Sequence, residues 1–327
     1  MTRIFYFIFL VVAVSDAMAA DLPGIPEFIN EMVAKHQFKH DELVQVFQEA
    51  QYRQDVIDAM NTPSTLKPWL EYRASFINPK RIDGGIKFWR KHAKALARAE
   101  KLYGVPQEII VAIIGVETLY GNHAGNYRTL DALTTLTFDY PRRVEFFRGE
   151  LEQYLLLARE QNFNLLKIKA SYAGALGIPQ FMPSSYRKNA VDFNGDGKID
   201  LMNGADDAIG SVANYLKQYG WKAHEPVAVL AKMDNNARPD DVGAARSMAA
   251  WGALGVAPLD GEFEDGVYAY LLGFTLPEGK EFWFGFNNFA VITTYNNSSY
   301  YAMSVYQLAV ELRKKGVHYG LSRRAPL

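Results

Sequence analysis

The sequence predicts a mainly helical α+β protein, in which a small strand-rich insertion interrupts a chain of helices. Two observations lead to this fold class. Apolar residues recur at i, i+3 and i+4 through most of residues 22–219 and again after residue 298, as in helices that bury one face. Between residues 223 and 289 apolar residues alternate instead, which is typical of strands.

The N-terminus has the composition of an export signal. Arg3 supplies a positive start, IFYFIFLVVAV an apolar centre, and Ala17-Met18-Ala19 a small-x-small cleavage site. We therefore predict a cleaved signal peptide over residues 1–19. An uncleaved anchor is the alternative, although the apolar run is shorter than the roughly 20 residues that span a bilayer. The sequence has no Cys, which excludes a disulfide framework and a lipid-acceptor cysteine after the signal.

Residues 20–98 are predicted to form an N-terminal helical domain. Phe28 and Met32 fall on one face of a first helix, and a second amphipathic segment begins near Leu43. Prolines separate the segments that follow. These are WLEYRASF and GGIKFWRKHAKALARAEKLYG, and the latter is predicted to be one helix that ends at Gly104.

Residues 99–222, together with 290–327, are predicted to form a larger helical core. It begins with PQEIIVAIIGVETLY, a helix that Pro106 can open and Gly121 can close. VEFFRGELEQYLLLARE and AIGSVANYLKQYGW are two further amphipathic segments, and SSYYAMSVYQLAVELRKK returns the chain to this core after the strands. The core is thus predicted to be discontinuous in sequence.

The strand-rich insertion is predicted to span residues 223–289. EPVAVLAKM has the pattern of one strand, and apolar residues alternate from Gly266 to Phe289. Turns are predicted at Asn235-Asn236, at Pro277-Glu278-Gly279 and at Asn287-Asn288. We therefore expect a small β domain inserted into the helical core.

One carboxylate lies in an unexpected place on the helix that Pro106 opens. Glu117 follows Ile113 by one turn and so falls on the apolar stripe that should face the core. Burial raises the pKa of a carboxyl group, so Glu117 would be protonated near neutral pH, as a general acid must be. The alternative is a Glu at the edge of the stripe paired with a basic side chain, because structural ion pairs also put charges on such faces.

The charge balance argues against a nucleic-acid partner. The formal net charge is −1, without the basic surplus of nucleic-acid-binding proteins. Aromatic residues make up 13% of the chain, with 19 Tyr and 20 Phe against 5 Trp. Some of these rings could stack on sugars, although most aromatic side chains are expected in the core.

The loop DFNGDGKIDLMNGADD, residues 192–207, begins like an EF-hand calcium loop. Asp192, Asn194 and Asp196 stand at loop positions 1, 3 and 5, and a glycine stands at position 6 for the sharp turn. Lys198 at position 7 would contribute only its backbone carbonyl.

The same loop departs from the EF-hand pattern at its end. Position 12 is Asn203 rather than a bidentate Glu, so Asp206 or Asp207 would have to close the site from a longer loop. We predict a structural Ca²⁺ site because every ligand is a hard oxygen. A solvated Asp/Gly turn without a metal is the alternative.

Two further segments contain side chains suited to ligand contact. ASYAGALGIPQFMPSSY combines glycines and prolines with Ser171 and Gln180, which can hydrogen-bond a ligand. TYNNSSYYAM offers Tyr295, Asn296 and Tyr301, which suit carbohydrate binding. The alternatives are a helix-to-helix connection for the first segment and a plain core edge for the second.

Several long segments together resemble the lytic murein transglycosylase B family. They are GVETLYGNHAGNYRTLDALTTLTFDYPRR, ASYAGALGIPQFMPSSY, DFNGDGKIDLMNGADDAIGSVANYL and TYNNSSYYAMSVYQLA, and the upstream KPWLEYRASFINPKRIDGGIKFWRKH is similar to that family as well. The likeness covers most of the chain after the predicted signal peptide. It implies a lysozyme-like core with the active-site cleft, a helical N-terminal domain and a small β domain.

The resemblance also implies an activity, and the predicted export signal places that activity in the periplasm. It implies cleavage of the β-1,4 bond between N-acetylmuramic acid and N-acetylglucosamine in peptidoglycan, with no cofactor for catalysis. Glu117 matches the family's single catalytic Glu. Our hypothesis is that Glu117 acts first as acid and then as base, so that cleavage leaves 1,6-anhydro ends. Peptidoglycan glycan strands are the implied partner, and proteins of cell-wall synthesis or remodelling are further candidates.

Roles for other residues are implied by the same resemblance. Ser171 and Gln180 match residues at the cleavage subsites. Residues that match the wall of the cleft are Tyr295, Asn296, Tyr301, Tyr215 and Tyr72. Arg142 and Arg143 match a basic pair that faces the lactyl or peptide carboxylates of the substrate. The calcium loop matches too, and there Asp207 aligns with the closing ligand.

Two other functions remain compatible with these residues. A hydrolytic muramidase would use the same acid and a water molecule, whereas a non-catalytic peptidoglycan-binding protein would release no fragments. Glycosidases usually employ two carboxylates, and the sequence marks no obvious second one. Asp139 lies in a matching segment, but Tyr140-Pro141 beside it is typical of a turn, so we interpret it as structural.

Overall fold

Helices dominate the chain, as the sequence predicts. The computed structural model describes residues 22–62, 67–234 and 242–321. The predicted signal peptide and the predicted turn at Asn235-Asn236 lie outside these residues. Within the described ranges, no helix is both long enough and apolar enough to cross a membrane.

The N-terminal part consists of short helices. In chain order they are α1 (Ile25–His36), α2 (His40–Gln48), α3 (Gln54–Asn61), α4 (Trp69–Phe76), α5 (Pro79–Lys91) and α6 (Ala93–Tyr103). The segment predicted as one helix up to Gly104 is two helices, because His92 has φ −112° and ψ 25° and leaves the helical region. The His92 ring packs on Phe88 at 4.7 Å and hydrogen-bonds Asp206, so a tertiary contact accompanies the break.

The larger helical core follows directly. Its first helices are α7 (Gln107–Thr118), α8 (Thr129–Asp139), α9 (Val144–Gln161), α10 (Pro183–Asn189) and α11 (Ala205–Gln218). The two-residue strands β1 (Tyr127–Arg128) and β2 (Lys169–Ala170) pair antiparallel between them. The segments predicted as amphipathic helices in this region are therefore helical.

The predicted strand-rich insertion is an antiparallel sheet, which has five strands in the described part of the chain. They are β3 (Ala228–Met233), β4 (Ala245–Ser247), β5 (Val256–Pro258), β6 (Tyr268–Leu276) and β7 (Gly279–Gly285), in the spatial order β4-β6-β7-β3-β5. Pro277 and Glu278 form the predicted tight turn, since Leu276 pairs with Gly279 across it. A short helix, α12 (Met248–Ala253), lies between β4 and β5 and was not predicted.

The chain returns to helix slightly earlier than predicted. Asn287 and Asn288 do not form a turn but begin α13 (Asn287–Tyr295), which α14 (Ser299–His318) follows. The buried amide of Asn288 accepts from the N–H of Lys222 and donates to the carbonyls of Lys222 and Glu225. This side chain therefore ties the exit of the insertion to its entry. The exact domain boundaries stay a prediction.

Buried apolar side chains form two cores among the described residues. The larger core runs through the N-terminal helices and the helical core, and α14, α5, α6 and α11 all pack on α7. Ile110, Ile113 and Ile114 of α7 are fully buried, so this helix is apolar on nearly every side. The smaller core lies in the insertion and consists of Met248, Trp251, Val256, Ala269, Leu271, Phe284 and Phe286.

Helix α7 ends sooner than predicted. Pro106 precedes its first residue as expected, but the helix stops at Thr118, and Leu119, Tyr120 and Gly121 have φ of 49°, 64° and 87°. Left-handed backbone is costly for residues other than Gly. Hydrogen bonds offset the cost here, because the Thr118 hydroxyl accepts from Gly121 N–H at 2.9 Å. The chain therefore reverses directly after Glu117.

Candidate active site

Glu117 lies in the last turn of α7 and is partly buried. The hydroxyl of Tyr301, from the first turn of α14, donates a 2.5 Å hydrogen bond to its Oε1. Burial raises the pKa of Glu117 to about 7, while the Tyr301 hydrogen bond and the charge of Arg81 act in the opposite direction. Near neutral pH Glu117 therefore occupies both the acid and the carboxylate form, as a group that gives and later takes a proton requires.

Tyrosine rings form one side of this site. Tyr295 and Tyr301 stack with centroids 6.3 Å apart, and Tyr215 meets Tyr295 at 4.8 Å. Tyr295 donates to the carbonyl of Pro179 at 2.6 Å, and Tyr215 donates to a main-chain carbonyl of α13 at 2.7 Å. Burial, together with the charge of Glu117, raises the pKa of Tyr295 and Tyr301 well above 10, so both hydroxyls remain protonated.

Tyr72 approaches the site from the N-terminal helices. It is buried on α4 and packs against Tyr300 with ring centroids 5.6 Å apart. Burial raises its pKa to about 12, and the charge of Glu117 contributes to that rise. Helix α4 thus brings an aromatic ring within electrostatic reach of Glu117.

The glycine-rich loop between β2 and α10 lies against both α7 and the tyrosines. The Thr118 hydroxyl donates to the carbonyl of Ile178 at 2.8 Å, and Tyr295 bonds the carbonyl of the next residue. Gln180 has φ 53°, and its side-chain amide donates to Ala124 and Gly177 carbonyls at 3.1 and 2.8 Å. These contacts bring Gln180 to the turn that follows Glu117.

Ser171 stands at the other end of the same loop. Its Oγ accepts from the N–H of Ala175 at 3.1 Å, and its own N–H donates to the Ala175 carbonyl at 2.9 Å. The side chain therefore stabilises the turn in which it lies. It is only partly buried, which leaves the hydroxyl able to meet a ligand.

Arg81 is a residue at this site that the sequence analysis missed. It lies in the first turn of α5, and its guanidinium Nη1 donates to the carbonyl of Gly115, in the last turns of α7. No signal in the sequence singles it out, because the adjacent Lys80 is also basic and lies exposed in the same helical turn.

Comparison with known proteins identifies the family. The family model described as "Transglycosylase SLT domain" matches residues 22–310. This protein belongs to the transglycosylase SLT domain family. The membrane-bound lytic murein transglycosylase B of Escherichia coli (strain K12) is 44% identical over 299 residues, which cover 88% of this chain and 82% of that relative. The resemblance predicted from the sequence motifs is confirmed, and this protein is a transglycosylase.

Solved structures show the same fold. The soluble lytic transglycosylase SltB1 from Pseudomonas aeruginosa has a TM-score of 0.85 and 47% identity, covering 90% of this chain and 100% of that one. The Escherichia coli lytic transglycosylase Slt35 in complex with calcium has a TM-score of 0.84 and 43% identity, covering 91% of this chain and 95% of that one. The predicted fold class, mainly α with a lysozyme-like helical core, is confirmed.

Three predicted site residues of the transglycosylase are exposed. Asn296 follows α13, and its carbonyl accepts from Ser298 N–H at 2.7 Å. Arg142 and Arg143 lie in a 3₁₀ turn after α8, and the Arg143 guanidinium lies 3.9 Å from the Phe146 ring centroid. Among the residues that the structure describes, no hydrogen bond or ring contact joins these side chains to Glu117. Their roles stay a prediction.

The transglycosylase has no second carboxylate acting on Glu117 among its described groups. The groups that shift the pKa of Glu117 are Tyr301 and Arg81. Asp139, which we interpret as structural, is the last residue of α8 and accepts a 2.6 Å hydrogen bond from the Tyr52 hydroxyl. The arrangement therefore resembles a single acid/base group rather than a carboxylate pair.

The loop 192–207 folds around its own polar side chains. Asp192 accepts from the N–H groups of Gly195, Asp196 and Gly197 at 2.7 to 3.1 Å. The Asn194 amide donates to Asp196 Oδ2 at 3.0 Å. Three of the predicted ligands therefore converge, and their hard oxygens fit Ca²⁺ in chemistry.

Asp207, the predicted closing ligand, is held by the backbone of the loop. It is buried, its Oδ1 accepts from Phe193 and Asn194 N–H at 2.8 and 3.2 Å, and its Oδ2 accepts from Asp200 N–H at 2.8 Å. Both oxygens are thus engaged by backbone, as both oxygens of Asp192 are, and Asp207 joins the two ends of the loop through hydrogen bonds. Its role as the closing ligand stays a prediction. In the described ranges no group of three or more Asp, Glu or His side chains is arranged to hold a metal.

Proposed function

We propose that this transglycosylase cleaves the β-1,4 bond between N-acetylmuramic acid and N-acetylglucosamine in peptidoglycan and leaves 1,6-anhydro ends. One observation supports this above all others. Glu117 is a single partly buried carboxylate whose pKa is raised to about 7, with Tyr301 bonded to it. The relative of this protein from Escherichia coli is named a murein transglycosylase, which supports the same substrate class.

The reaction uses one proton that Glu117 gives and recovers. Protonated Glu117 donates to the glycosidic oxygen, and the bond from that oxygen to C1 of the muramic acid breaks. The carboxylate then removes the proton from the C6 hydroxyl of the same sugar, whose oxygen forms a new bond to C1. No water is consumed, and well-oriented intramolecular attack gains up to ~7–11 kcal/mol over a bimolecular step.

The groups that act on the pKa of Glu117 in the described residues support this reaction over the usual glycosidase scheme. A retaining enzyme holds its two carboxyl groups about 5 Å apart and an inverting enzyme roughly 6.5–9.5 Å apart. The described groups that act on Glu117 are a tyrosine and an arginine instead. We infer that the N-acetyl group of the substrate stabilises the developing positive charge on the sugar.

The polar and aromatic side chains around Glu117 would hold the glycan. We propose that rings stack on the sugars, while Ser171 and Gln180 hydrogen-bond the sugars next to the cleaved bond. Tyr295 is partly exposed and is the proposed ring contact, and the exposed Asn296 is the proposed amide contact. Tyr72, Tyr215 and Tyr301 are buried, so we propose that they form the wall of the cleft behind Tyr295. The exposed guanidinium groups of Arg142 and Arg143 suit lactyl or peptide carboxylates.

Digestion of purified peptidoglycan tests the proposal. We expect soluble fragments with 1,6-anhydro ends, which mass spectrometry distinguishes because they are one water lighter than reducing ends. Glu117→Gln should lower the rate at least ~10²-fold, whereas Glu145→Gln, an exposed carboxylate on α9, should not. Reducing ends would instead indicate a hydrolytic muramidase. Binding without any released fragment would indicate a non-catalytic glycan-binding protein.

A structural Ca²⁺ at the loop 192–207 is a second proposal. The proposed ligands are Asp192, Asn194, Asp196, the Lys198 carbonyl and Asp207. The calcium complex of Slt35 supports the class of ion. Calcium should raise the melting temperature by mass action, and Asp196→Asn should abolish the rise. Asp58→Asn, on α3, should respond to calcium as the unsubstituted protein does, because Asp58 is exposed and its carboxylate accepts from Gln54 of its own helix. Unchanged melting with calcium would overturn this proposal.

We also propose export to the periplasm. Removal of the predicted signal peptide, residues 1–19, would leave a mature chain that begins at Ala20. The mass of the mature protein from the producing cell tests this directly. A full-length mass would favour the uncleaved anchor.

A further inference from the structure

We propose that Arg81 is a positioning residue for Glu117, which fixes the turn after α7 and stabilises the charge that Glu117 acquires when it gives up its proton. The inference rests on the acid and base role of Glu117 proposed above. It adds a residue from the N-terminal helices to the chemistry of the helical core.

Arg81 holds the chain on both sides of Glu117. Its guanidinium donates to the carbonyl of Gly115, two residues before Glu117. Its own main-chain carbonyl accepts a 2.8 Å hydrogen bond from the hydroxyl of Tyr120, three residues after Glu117. One residue of α5 therefore contacts both the final helical turn and the reversal that follows it.

The packing around these contacts is close. A Cβ added at Gly115 would lie 2.5 Å from the Tyr120 hydroxyl, and one at Gly85 would lie at the same distance. Glycines on α5 and α7 thus leave room for the Tyr120 side chain between the two helices. This arrangement holds Arg81 at one place relative to Glu117.

The positive charge of the Arg81 guanidinium interacts favourably with α7, although burying that charge costs free energy. It stands at the C-terminal end of α7, where the helix dipole favours a cation. It also lies 5.2 Å from the ring centroid of Phe76. Burial lowers the pKa of Arg81, yet an arginine stays charged at neutral pH. Its Nε is buried and makes no hydrogen bond to any described residue.

Arg81 is the charged group among those that face Glu117 in the described residues. Tyr301 of α14, Tyr72 of α4 and Tyr295 of α13 are the other titratable groups near it. These tyrosines stay neutral near pH 7, because burial raises the pKa of each. When Glu117 becomes a carboxylate, Arg81 is therefore the group whose charge can offset it.

A pair of substitutions at Arg81 separates charge from packing. Arg81→Gln removes the charge, Arg81→Lys keeps it, and Lys80→Gln removes an exposed charge from the neighbouring position as the matched control. The readout is the pH at which kcat/KM for peptidoglycan falls on the alkaline side, where Glu117 loses its proton. Arg81→Gln should move that fall upward by about one pH unit and lower kcat about tenfold.

Arg81→Lys and Lys80→Gln should leave the alkaline fall where the unsubstituted protein has it. A second readout is independent of activity: the ¹³C resonance of the Glu117 carboxyl, assigned by its loss in Glu117→Gln, should titrate at a higher pH in Arg81→Gln. Because Arg81→Gln can weaken the fold, both measurements are also made on Arg81→Met, which keeps a long unbranched side chain without the charge. All measurements are made below the melting temperature of each variant.

An unmoved alkaline fall and an unmoved carboxyl titration in both uncharged variants would overturn the inference, even if their activity dropped. That result would leave the proposed function intact. Near-native activity of Glu117→Gln would instead remove the proposed function on which the inference rests.

Discussion

The hydroxyl of Tyr301 donates a 2.5 Å hydrogen bond to Oε1 of Glu117, across 184 positions of sequence. The packing of α14 on α7 makes this contact possible. A hydrogen bond to a carboxylate favours the charged form, whereas burial disfavours it. The two effects oppose each other, and the pKa of Glu117 settles at about 7.

Tyr301→Phe should therefore raise the pKa of Glu117 further. The alkaline fall of kcat/KM should move to higher pH, and kcat should drop about tenfold, because a weaker acid transfers its proton less readily. The measurement is the pH profile of fragment release from peptidoglycan. Tyr300→Phe is the matched control, since Tyr300 packs on Trp69 and Tyr72 but makes no hydrogen bond to Glu117. Identical profiles for both variants would contradict this assignment.

The raised pKa of Glu117 also predicts how stability depends on pH. Below about pH 4.5 the group is protonated in the folded and unfolded states, so folding is not opposed by its charge. As pH rises from there through 7, the unfolded state loses the proton first and up to ~3 kcal/mol of stability is lost. Glu117→Gln cannot ionise and should escape this loss.

Urea unfolding at two pH values measures the difference. Glu117→Gln should match the unsubstituted protein at pH 4 and exceed its free energy of unfolding by up to ~3 kcal/mol at pH 8. Glu145→Gln, which removes an exposed carboxylate, should differ little at either pH. A constant difference between Glu117→Gln and the unsubstituted protein across this range would mean that the carboxyl titrates normally.

A buried ion pair joins α14 to the first turn of α7, at the opposite end of α7 from Glu117. Arg313 Nε donates to Glu108 Oε1 at 2.8 Å, and the two residues are only 5% and 4% exposed. Removing one partner leaves an uncompensated buried charge, so Arg313→Met should lower the free energy of unfolding by about 3–5 kcal/mol. Lys314→Met breaks an exposed pair with Glu311 and should cost no more than about 1 kcal/mol. Equal losses in the two variants would argue against this account.

Part of the site could be predicted from the sequence because it depends on local spacing. The position of Glu117 one turn after Ile113 follows from helical periodicity, and burial then raises its pKa. The partners of Glu117 could not be predicted in this way. Tyr301 and Arg81 reach it only through the packing of α14 and α5 on α7, and no spacing in the sequence specifies that packing.

The errors in predicting the fold have the same physical origin. The break at His92 lies between two helices whose apolar spacing is continuous, and contacts with Phe88 and Asp206 accompany it. Asn287 and Asn288 have turn composition, yet Asn288 is buried and bonds the backbone at the entry of the insertion. In each place a contact between distant segments outweighs the local preference.

The loop that holds Ser171 depends on a glycine that no other residue can replace without movement. Gly125 has φ 99°, and a Cβ there would lie 2.1 Å from the carbonyl oxygen of Ala170. Gly125→Ala should therefore displace β2 and the Ser171 turn and lower kcat/KM at least tenfold, since small misplacements near the chemistry are costly. Gly149→Ala, inside α9 with nothing within 4 Å of the added Cβ, should stabilise the fold by about 0.5–1 kcal/mol and leave activity unchanged. Steady-state kinetics and thermal melts on both variants test the pair, and unaltered kinetics in Gly125→Ala would mean that the Ser171 turn does not contribute to the reaction.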